Sequence, residues 1–193
     1  WHDGQALLRT LDEEWAAALP HLTLLRDMGC AVVVYADTSR RNPGDIFRPL
    51  STRPVLAEAD WPGYGRRLTA LAARMADFGV RMAYHHHMGT IVQSAADIDR
   101  LMAHTGPEVG LLFDSGHCLF AGADPAAVLA RHLARVVHVH CKDVRRAVLD
   151  QALASDLSFM DAILAGVFTV PGDGCIAFPA LLAQLQRRAY AGW

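Results

Sequence analysis

Short apolar segments alternate with amphipathic segments along this chain, and that alternation limits the folds it can adopt. Residues 30–36, CAVVVYA, form a continuous apolar run rich in β-branched side chains, which is typical of a strand buried on both faces. Three further segments, 80–86, 109–114 and 134–143, have a similar character. Since strands separated by helices pair in parallel, the pattern predicts a parallel sheet covered by helices.

Polar residues mark the points where several predicted helices begin. Thr10 with Glu13, and Ser94 with Asp97, have the spacing of a helix-capping pair. Asp124, followed by proline, is typical of a helix N-cap. The predicted helices span about 10–28 (with a kink or a restart at Pro20), 61–78, 94–104, 124–133, 149–165 and 179–188.

Two parallel architectures fit this pattern, a (β/α)8 barrel and a doubly wound sheet. No GxGxxG motif follows a predicted strand, and the GDG at 172–174 lacks the lysine of a phosphate-binding loop, which argues against a nucleotide-binding sheet. A complete barrel normally takes about 250 residues. If the chain is a barrel, we expect strands to be missing at both ends, where it starts at Trp1 and stops after RRAYAG.

The charge balance predicts a globular protein without a nucleic-acid or membrane partner. Lysine and arginine total 18 against 20 acidic residues, so we expect no basic surface for nucleic acid. No apolar run approaches the roughly 20 residues of a membrane span, and the opening WHDGQ has no signal-peptide character. The four cysteines form no close pair, so we expect reduced thiols in a cytoplasmic protein.

A long polar segment follows the first predicted strand. Residues 37–59 contain proline, glycine and several arginines, without a helical or strand pattern. Loops of this length inside compact domains are usually lids or binding loops. We therefore expect a functional loop here.

Six of the ten histidines fall at or just after the ends of predicted strands, at positions 85–87, 117, 138 and 140. In parallel α/β folds that edge of the sheet carries the active site. Because side chains alternate along a strand, we expect His85 and His87 on one face and His86 on the other.

Acidic and basic side chains join the histidines at this edge. Asp114 ends one predicted strand, and His138, His140 and Lys142 alternate along the next, so that these three are expected to share a face. Taken singly, each has an ordinary explanation as a hydrogen-bonded core histidine, a helix-capping carboxylate or a solvated lysine. Asp and His side chains at the ends of successive strands are, however, what Mn2+, Co2+ or Zn2+ requires. Since burying such groups without a counter-ion costs several kcal/mol, the combination favours a divalent metal site.

Four motifs occur in order along the chain: YHHHMGT, LLFDSGH, HVHCKDV and VPGDGCIAF. With these motifs the chain resembles the inosose dehydratase (2-keto-myo-inositol dehydratase) family, a branch of the xylose-isomerase-like TIM barrels of sugar isomerases and epimerases. The resemblance extends over essentially all 193 residues. It implies one (β/α)8 TIM barrel domain over residues 1–193, incomplete in this chain because N-terminal strands and strand eight are missing.

The resemblance also implies the ligands of one divalent metal. Asp114 and His140 match the carboxylate of strand six and the histidine of strand seven. His85 lies where most relatives have a glutamate on strand five, and it is the third expected ligand. The fourth ligand, a glutamate on strand eight, is expected shortly after Trp193.

The remaining site residues follow from the same resemblance. His87 matches a catalytic histidine that lies two residues after the strand-five ligand, and we expect it to act as the base. Lys142 and His117 are expected as catalytic residues that protonate the leaving hydroxyl or hold the enolate. His117, His138 and Arg145 are expected to bind substrate.

The implied reaction removes water from 2-keto-myo-inositol, in inositol catabolism, after a proton is abstracted next to the ketone. Mn2+ or Co2+ is the implied metal, and glutathione is a further cofactor that the resemblance allows. The implied partner is a small polyhydroxylated ketone, and a homo-oligomer is compatible with it. The sequence leaves two alternatives open, a ketose isomerase or epimerase on the same scaffold and a truncated, inactive domain.

Overall fold

The computed structural model describes residues 1–40 and 44–192. Residues 41–43, inside the predicted loop 37–59, and Trp193, the last residue of the YAGW motif, lie outside the described residues. Within the part of the chain that is described, no helix combines the length and the apolar character needed to cross a bilayer.

Five parallel strands form one sheet, and each lies beside the strand that follows it along the chain. They are β1 (His2–Gly4), β2 (Val32–Asp37), β3 (Arg81–His85), β4 (Gly110–Asp114) and β5 (Val136–His140). The sequence predicted four of these strands and missed β1, because a three-residue strand with two polar side chains contains no apolar run. Unreversed strand order is what a (β/α)8 barrel has, whereas a doubly wound sheet reverses at a switch point.

Eight α-helices follow or connect the strands in the described residues. They are α1 (Leu11–Asp27), α2 (Trp61–Asp77), α3 (Ala95–His104), α4 (Ser115–Phe120), α5 (Pro125–His132), α6 (Arg146–Ala154), α7 (Phe159–Leu164) and α8 (Phe178–Arg187). Two short strands pair antiparallel beyond the sheet, β6 (Asp143–Val144) and β7 (Phe168–Thr169). Single 3-10 turns occupy Leu50–Thr52, Glu58–Asp60 and Leu133–Arg135.

The three helix starts predicted from capping residues are confirmed. Thr10 Oγ1 accepts the Glu13 N–H at 3.3 Å, and the Glu13 carboxylate accepts the Thr10 N–H at 2.9 Å. Ser94 forms the same reciprocal pair at the start of α3, and Asp124 caps α5 by accepting an N–H of its first turn. Helix α1 continues through Pro20 as one element, so the restart that the sequence allowed does not occur.

Three expectations about local structure are wrong. Strand β5 ends at His140, so Lys142 does not continue its alternation but lies in the turn to β6. The chain leaves the sheet there because Asp143 and the next residue pair with β7 instead. The DSGH motif, which reads in sequence as a turn after the strand, is the N-cap and first turn of helix α4. The helical region at 149–165 is two helices, the first of which begins earlier, at Arg146.

Two apolar clusters hold the layers together. The larger packs helices α1 to α3 against the sheet through buried side chains that include Leu22, Leu68, Met75 and Leu101. The smaller lies around α4, α6 and α7 and includes Phe120, Val144, Leu149, Phe159 and Val167. Since Phe159 is the first residue of α7, the smaller cluster fixes the start of that helix.

Glu14 is a buried carboxylate that ties α1 to the sheet. Its oxygens accept hydrogen bonds from the Gln5 N–H and the Tyr35 hydroxyl, each at 3.0 Å, and pair with the Arg9 guanidinium at 3.1 Å. Burial alone would raise the pKa of Glu14, but His2 and these partners lower it from 4.5 to about 2.

Replacing Glu14 with Gln should lower the free energy of unfolding at neutral pH by about 1–3 kcal/mol, because buried donors lose a charged acceptor. The folded-state pKa lies below the ordinary value, so the carboxylate's contribution is fully present above about pH 4.5 and is lost as the pH falls toward about 2. Urea unfolding of both proteins across this pH range measures the effect. A stability difference that does not shrink in acid would contradict this role.

Asp143 is a second buried carboxylate, and it organises the loop after β7. Its oxygens accept four backbone N–H groups, from Val144, Gly172, Gly174 and Ile176, at 2.8–3.0 Å. A Cβ at position 174 would lie 2.3 Å from Asp143 Oδ1, so only glycine fits there. The VPGDGC motif is therefore a loop folded around a carboxylate.

Replacing Asp143 with Asn should destabilise the protein by about 1–3 kcal/mol, because the amide NH2 would face N–H donors that then lack an acceptor. The control is Asp150→Asn, since Asp150 is exposed on α6 and forms only a 3.8 Å ion pair with Arg146. Thermal unfolding of the two variants should differ clearly. Equal melting temperatures would show that the carboxylate does not organise the loop.

Candidate metal centre

Three of the predicted metal ligands meet at the carboxyl edge of the sheet. His85, Asp114 and His140 are the last residues of β3, β4 and β5, and Asp114 pairs in register with His140. One potential ligand atom from each lies within 4.8 Å of the others. Asp114 Oδ2 is 3.5 Å from His85 Nε2 and 3.3 Å from His140 Nδ1. The sheet thus brings two imidazoles and one carboxylate to a single point.

Asp114 is fully buried, and its two carboxylate oxygens and its backbone N–H all have polar partners. Its Oδ1 accepts the His117 N–H at 3.0 Å and so caps α4, while its own backbone N–H donates to His86 Nε2 at 3.1 Å. Its Oδ2 contacts the Lys142 ammonium. Burial alone would raise the pKa of Asp114, but the surrounding imidazoles and the ammonium hold it well below its usual range. The carboxylate is therefore ionised and attracts positive charge.

His85 is oriented as a metal ligand would be. Its Nδ1 is hydrogen-bonded to the His86 carbonyl oxygen, so Nδ1 carries the proton and the Nε2 lone pair is directed at the cluster. Metal-binding histidines commonly donate their other N–H to a carbonyl in this way. Burial lowers the pKa of His85, although Asp114 opposes the shift. The neutral imidazole is the form that binds a cation.

The surroundings of His140 Nδ1 indicate whether a cation fits between the ligands. Its Nδ1 is buried without a hydrogen-bond partner among the described residues, and it lies 3.3 Å from the Asp114 oxygen. A divalent ion between the two would satisfy both atoms, and nitrogen and oxygen donors of this kind suit Mn2+, Co2+ or Zn2+. The residues present therefore fit a metal ion.

The DSGH motif also brings Lys142 to the cluster. Ser115 Oγ donates to the Lys142 carbonyl oxygen at 2.7 Å. A Cβ at Gly116 would lie 2.6 Å from Lys142 Cβ, so the glycine allows the turn after β5 to pack on α4. These contacts hold Lys142 beside Asp114 although it lies outside the strand.

His87 and His117 form a close pair beside the ligands, with ring centroids 3.9 Å apart and ring planes tilted by 43°. His87 Nδ1 donates to the Met88 carbonyl at 2.7 Å, which leaves its Nε2 without a proton. His117 Nδ1 accepts the Met88 N–H at 3.3 Å, which puts its proton on Nε2. Burial and the neighbouring His85 lower the pKa of His87 to about 3, and burial likewise lowers the pKa of His117. One neutral ring thus offers an acceptor and the other a donor.

The other predicted residues lie further from the cluster. His86 is fully buried, and its Nε2 accepts a hydrogen bond from the Asp114 backbone N–H. His138 is half-buried on β5, with its ring 5.3 Å from that of His140. Arg145 donates to Thr169 Oγ1 at 2.8 Å and to Asp173 at 2.9 Å, so it braces the β6–β7 pair. Substrate binding by His138 and Arg145 stays a prediction.

Sequence reasoning missed two aromatic residues at the site. Trp1 lies edge-on to His85 and His87, at centroid distances of 5.1 and 5.4 Å, and Phe159 lies edge-on to His87 at 5.2 Å. No local signal marks either residue, because one precedes a short strand and the other begins a helix of the smaller core.

A cavity of about 330 Å³ opens beside His87. Its lining is mostly apolar and comprises Trp1, Thr38, Gly44, His87, Thr90, Phe159 and Met160. A cavity of about 420 Å³ lies elsewhere, between α5 and α8, and none of the clustered histidines lines it. We consider the cavity beside His87 the candidate substrate site. His87 lies next to the metal-ligand cluster, whereas none of the site histidines lines the cavity between α5 and α8.

Comparison with known proteins agrees with this architecture. The family model of the xylose isomerase-like TIM barrel matches residues 9–193. The rhizopine catabolism protein MocC of Rhizobium meliloti is 58% identical over 193 residues, covering 100% of this chain and 59% of MocC. Inosose dehydratase 2 of Bacillus cereus is 40% identical over 195 residues, covering 100% of this chain and 65% of that protein.

A solved structure has the same fold. A xylose isomerase-like TIM barrel protein from Mycobacterium smegmatis, in complex with magnesium, superposes with a TM-score of 0.69 at 16% sequence identity, over 94% of this chain and 58% of that one. The chain thus spans less than two thirds of the length of the relatives it matches. The family match nevertheless includes nearly every residue of the parallel sheet and its carboxyl-edge cluster. The predicted fold class is therefore confirmed, and the chain belongs to the xylose isomerase-like TIM barrel family.

Proposed function

We propose that this chain carries the active site of a metal-dependent dehydratase that removes water from 2-keto-myo-inositol. The observation that carries the proposal is the His85, Asp114 and His140 cluster with the close pair of His87 and His117 directly beside it. The similarity to a Bacillus cereus inosose dehydratase over the whole chain supports the choice of substrate.

The ligand cluster would hold one divalent ion. Such an ion supplies Lewis-acid polarisation of the substrate ketone, which makes the neighbouring C–H more acidic and is worth several kcal/mol. His85 and His140 would contribute ring nitrogens, and Asp114 a carboxylate that is already ionised. Mn2+ or Co2+ is the predicted metal, and the magnesium in the related Mycobacterium smegmatis structure agrees with a divalent ion in this fold.

His87 would remove the proton next to the ketone. Its Nε2 is unprotonated, since Nδ1 donates to the Met88 carbonyl, and the residue lines the cavity that would hold the substrate. A neutral imidazole within hydrogen-bond reach is the usual general base for such a step. The hydrogen bond to Met88 fixes the ring so that only Nε2 can accept.

His117 and Lys142 would act on the substrate oxygens. His117 presents a protonated Nε2, because its Nδ1 accepts the Met88 N–H. Lys142 carries an ammonium beside Asp114. Either donor could protonate the β-hydroxyl as it leaves as water, and the other would hold the developing enolate oxygen. In this assignment the base and the acid are separate residues.

Several finer expectations stay predictions. Glutathione as a cofactor, a homo-oligomer, a cytoplasmic location and the choice between Mn2+ and Co2+ follow from the resemblance or from composition. A ketose epimerase of the same fold would need two carboxylates as its acid and base, whereas the strand-five position where most relatives have a glutamate is His85 in this chain. That difference favours the dehydratase.

Replacing His140 with Ala should abolish stoichiometric binding of Mn2+ or Co2+, because the cluster loses one of three ligands. The same result is expected for His85→Ala. His104→Ala is the control, since His104 ends α3 and is not a member of the cluster. Metal content after dialysis, measured by atomic emission, checks the prediction. Retention of one metal ion per chain in the His140 variant would refute the ligand assignment.

Replacing His87 with Gln should lower dehydration of 2-keto-myo-inositol by at least about 100-fold, the usual contribution of a general base, while the metal content stays unchanged. The assay uses the complete natural protein with Mn2+ or Co2+ and follows enol-dione absorbance. An epimerised ketose instead of the dione would favour the epimerase. Absence of any turnover with metal bound would favour the inactive domain.

A further inference from the structure

The cavity beside His87 has an unusual lining for a site that would bind a polyol. Among the described residues that line it, Thr38, Thr90 and His87 carry polar side chains. The rest of the wall consists of Trp1, Phe159, Met160 and Gly44. A volume of about 330 Å³ suits a small ring rather than a long chain. The lining therefore needs a ligand with an apolar surface as well as hydroxyl groups.

Trp1 and Phe159 flank the expected base. Each ring meets the His87 imidazole edge-on, at interplanar angles of 72° and 74°. Phe159 is only 7% exposed, and it also contacts the His117 ring at 5.7 Å. A substrate that reaches His87 through this cavity must therefore lie against the two aromatic side chains.

Cyclic polyols offer the surface that such a wall binds. In a six-membered ring whose hydroxyls are all equatorial, the C–H bonds are axial, so both ring faces are apolar and the hydroxyls form a polar rim. Aromatic side chains pack on such faces and gain both buried area and favourable C–H contacts. An open-chain ketose distributes its hydroxyls along a flexible chain and has no comparable face. Oxidation of myo-inositol at its one axial hydroxyl leaves only equatorial hydroxyls.

We propose that Trp1 and Phe159 form an aromatic wall that selects cyclic polyols with apolar faces over open-chain ketoses. This inference rests on the proposed function, since it names the ring class that the same site accepts. The wall places the C–H bonds of the ring next to His87, and the threonines meet the hydroxyl rim. Discrimination against open-chain sugars comes from the wall rather than from the metal ligands.

Leu50 and Ser51 hold the start of α7, and with it Phe159, in position. Asp156, in the turn before α7, accepts hydrogen bonds from the Ser51 N–H at 2.9 Å and the Ser51 hydroxyl at 2.6 Å. The Leu50 N–H donates to the Leu157 carbonyl at 2.9 Å. Asp156 has a φ of 44°, a left-handed conformation that non-glycine residues adopt at a cost. Asp156 is thus a positioning residue for the wall, and it does not line the cavity.

The test is calorimetric titration of the protein, loaded with Mn2+, with scyllo-inositol and with the open-chain hexitol D-glucitol. Scyllo-inositol has only equatorial hydroxyls and does not react, so the measurement is independent of turnover. The wild type should bind scyllo-inositol at least about tenfold more tightly than D-glucitol, roughly the contribution of one aromatic contact. The preference should fall to about twofold in Phe159→Leu and persist in Phe159→Tyr, which keeps the ring.

The control variant is Phe178→Leu. Phe178 is also the first residue of a helix, α8, and is also 7% exposed, but it does not line the cavity. The Phe178→Leu variant should prefer scyllo-inositol over D-glucitol as strongly as the wild type does. Asp156→Gly tolerates the left-handed φ and removes the carboxylate, so it should lower the preference partially. Thermal unfolding shows whether each variant is folded at the titration temperature.

Three outcomes would overturn the proposal: no detectable binding of scyllo-inositol, equal affinity for the two polyols, or an unchanged preference in Phe159→Leu. The outcome is separable from that of the dehydratase assay. A cyclitol preference without dehydration would leave the wall intact and remove the proposed reaction. Dehydration without a cyclitol preference would support the proposed reaction and remove the aromatic wall as its source of selectivity.

Discussion

The buried Asp114 carboxylate is the interaction on which the candidate site depends. One oxygen caps helix α4 and the other faces two imidazoles and the Lys142 ammonium, while the backbone N–H is bound by His86. A buried carboxylate survives only if charge and hydrogen bonds compensate for its lost hydration. The compensating groups come from the end of β3, from the end of β5 and from α4, so satisfying Asp114 also brings these three segments together.

His87 and His117 have different tautomers because one residue, Met88, forms a hydrogen bond with each ring. Met88 accepts a hydrogen bond from His87 through its carbonyl and donates one to His117 through its N–H. These opposite hydrogen bonds impose opposite tautomers on two imidazoles whose ring centroids lie 3.9 Å apart. A base and a proton donor are therefore preset next to each other without either ring carrying a charge. The geometry suits a reaction that abstracts one proton and delivers another.

The sequence predicted the parts of this structure that depend on local patterns. Apolar runs indicated β2 to β5, and capping pairs located α1 and α3. Strand β1 is too short to have such a pattern, and the end of β5 at His140 depends on Asp143 pairing with a strand far along the chain. Trp1 and Phe159 were not predictable for the same reason, since only the tertiary fold brings them to His87.

The apolar wall of the cavity also bears on the chemistry of the base. Burial is the largest cause of the low pKa of His87, and Trp1 and Phe159 are among the side chains that cover it. Removing water from this position keeps the imidazole neutral and strengthens every electrostatic contact within the cluster. The same exclusion creates the surface on which an apolar ring face can lie. Substrate selection and the protonation state of the base are therefore two consequences of one aromatic enclosure.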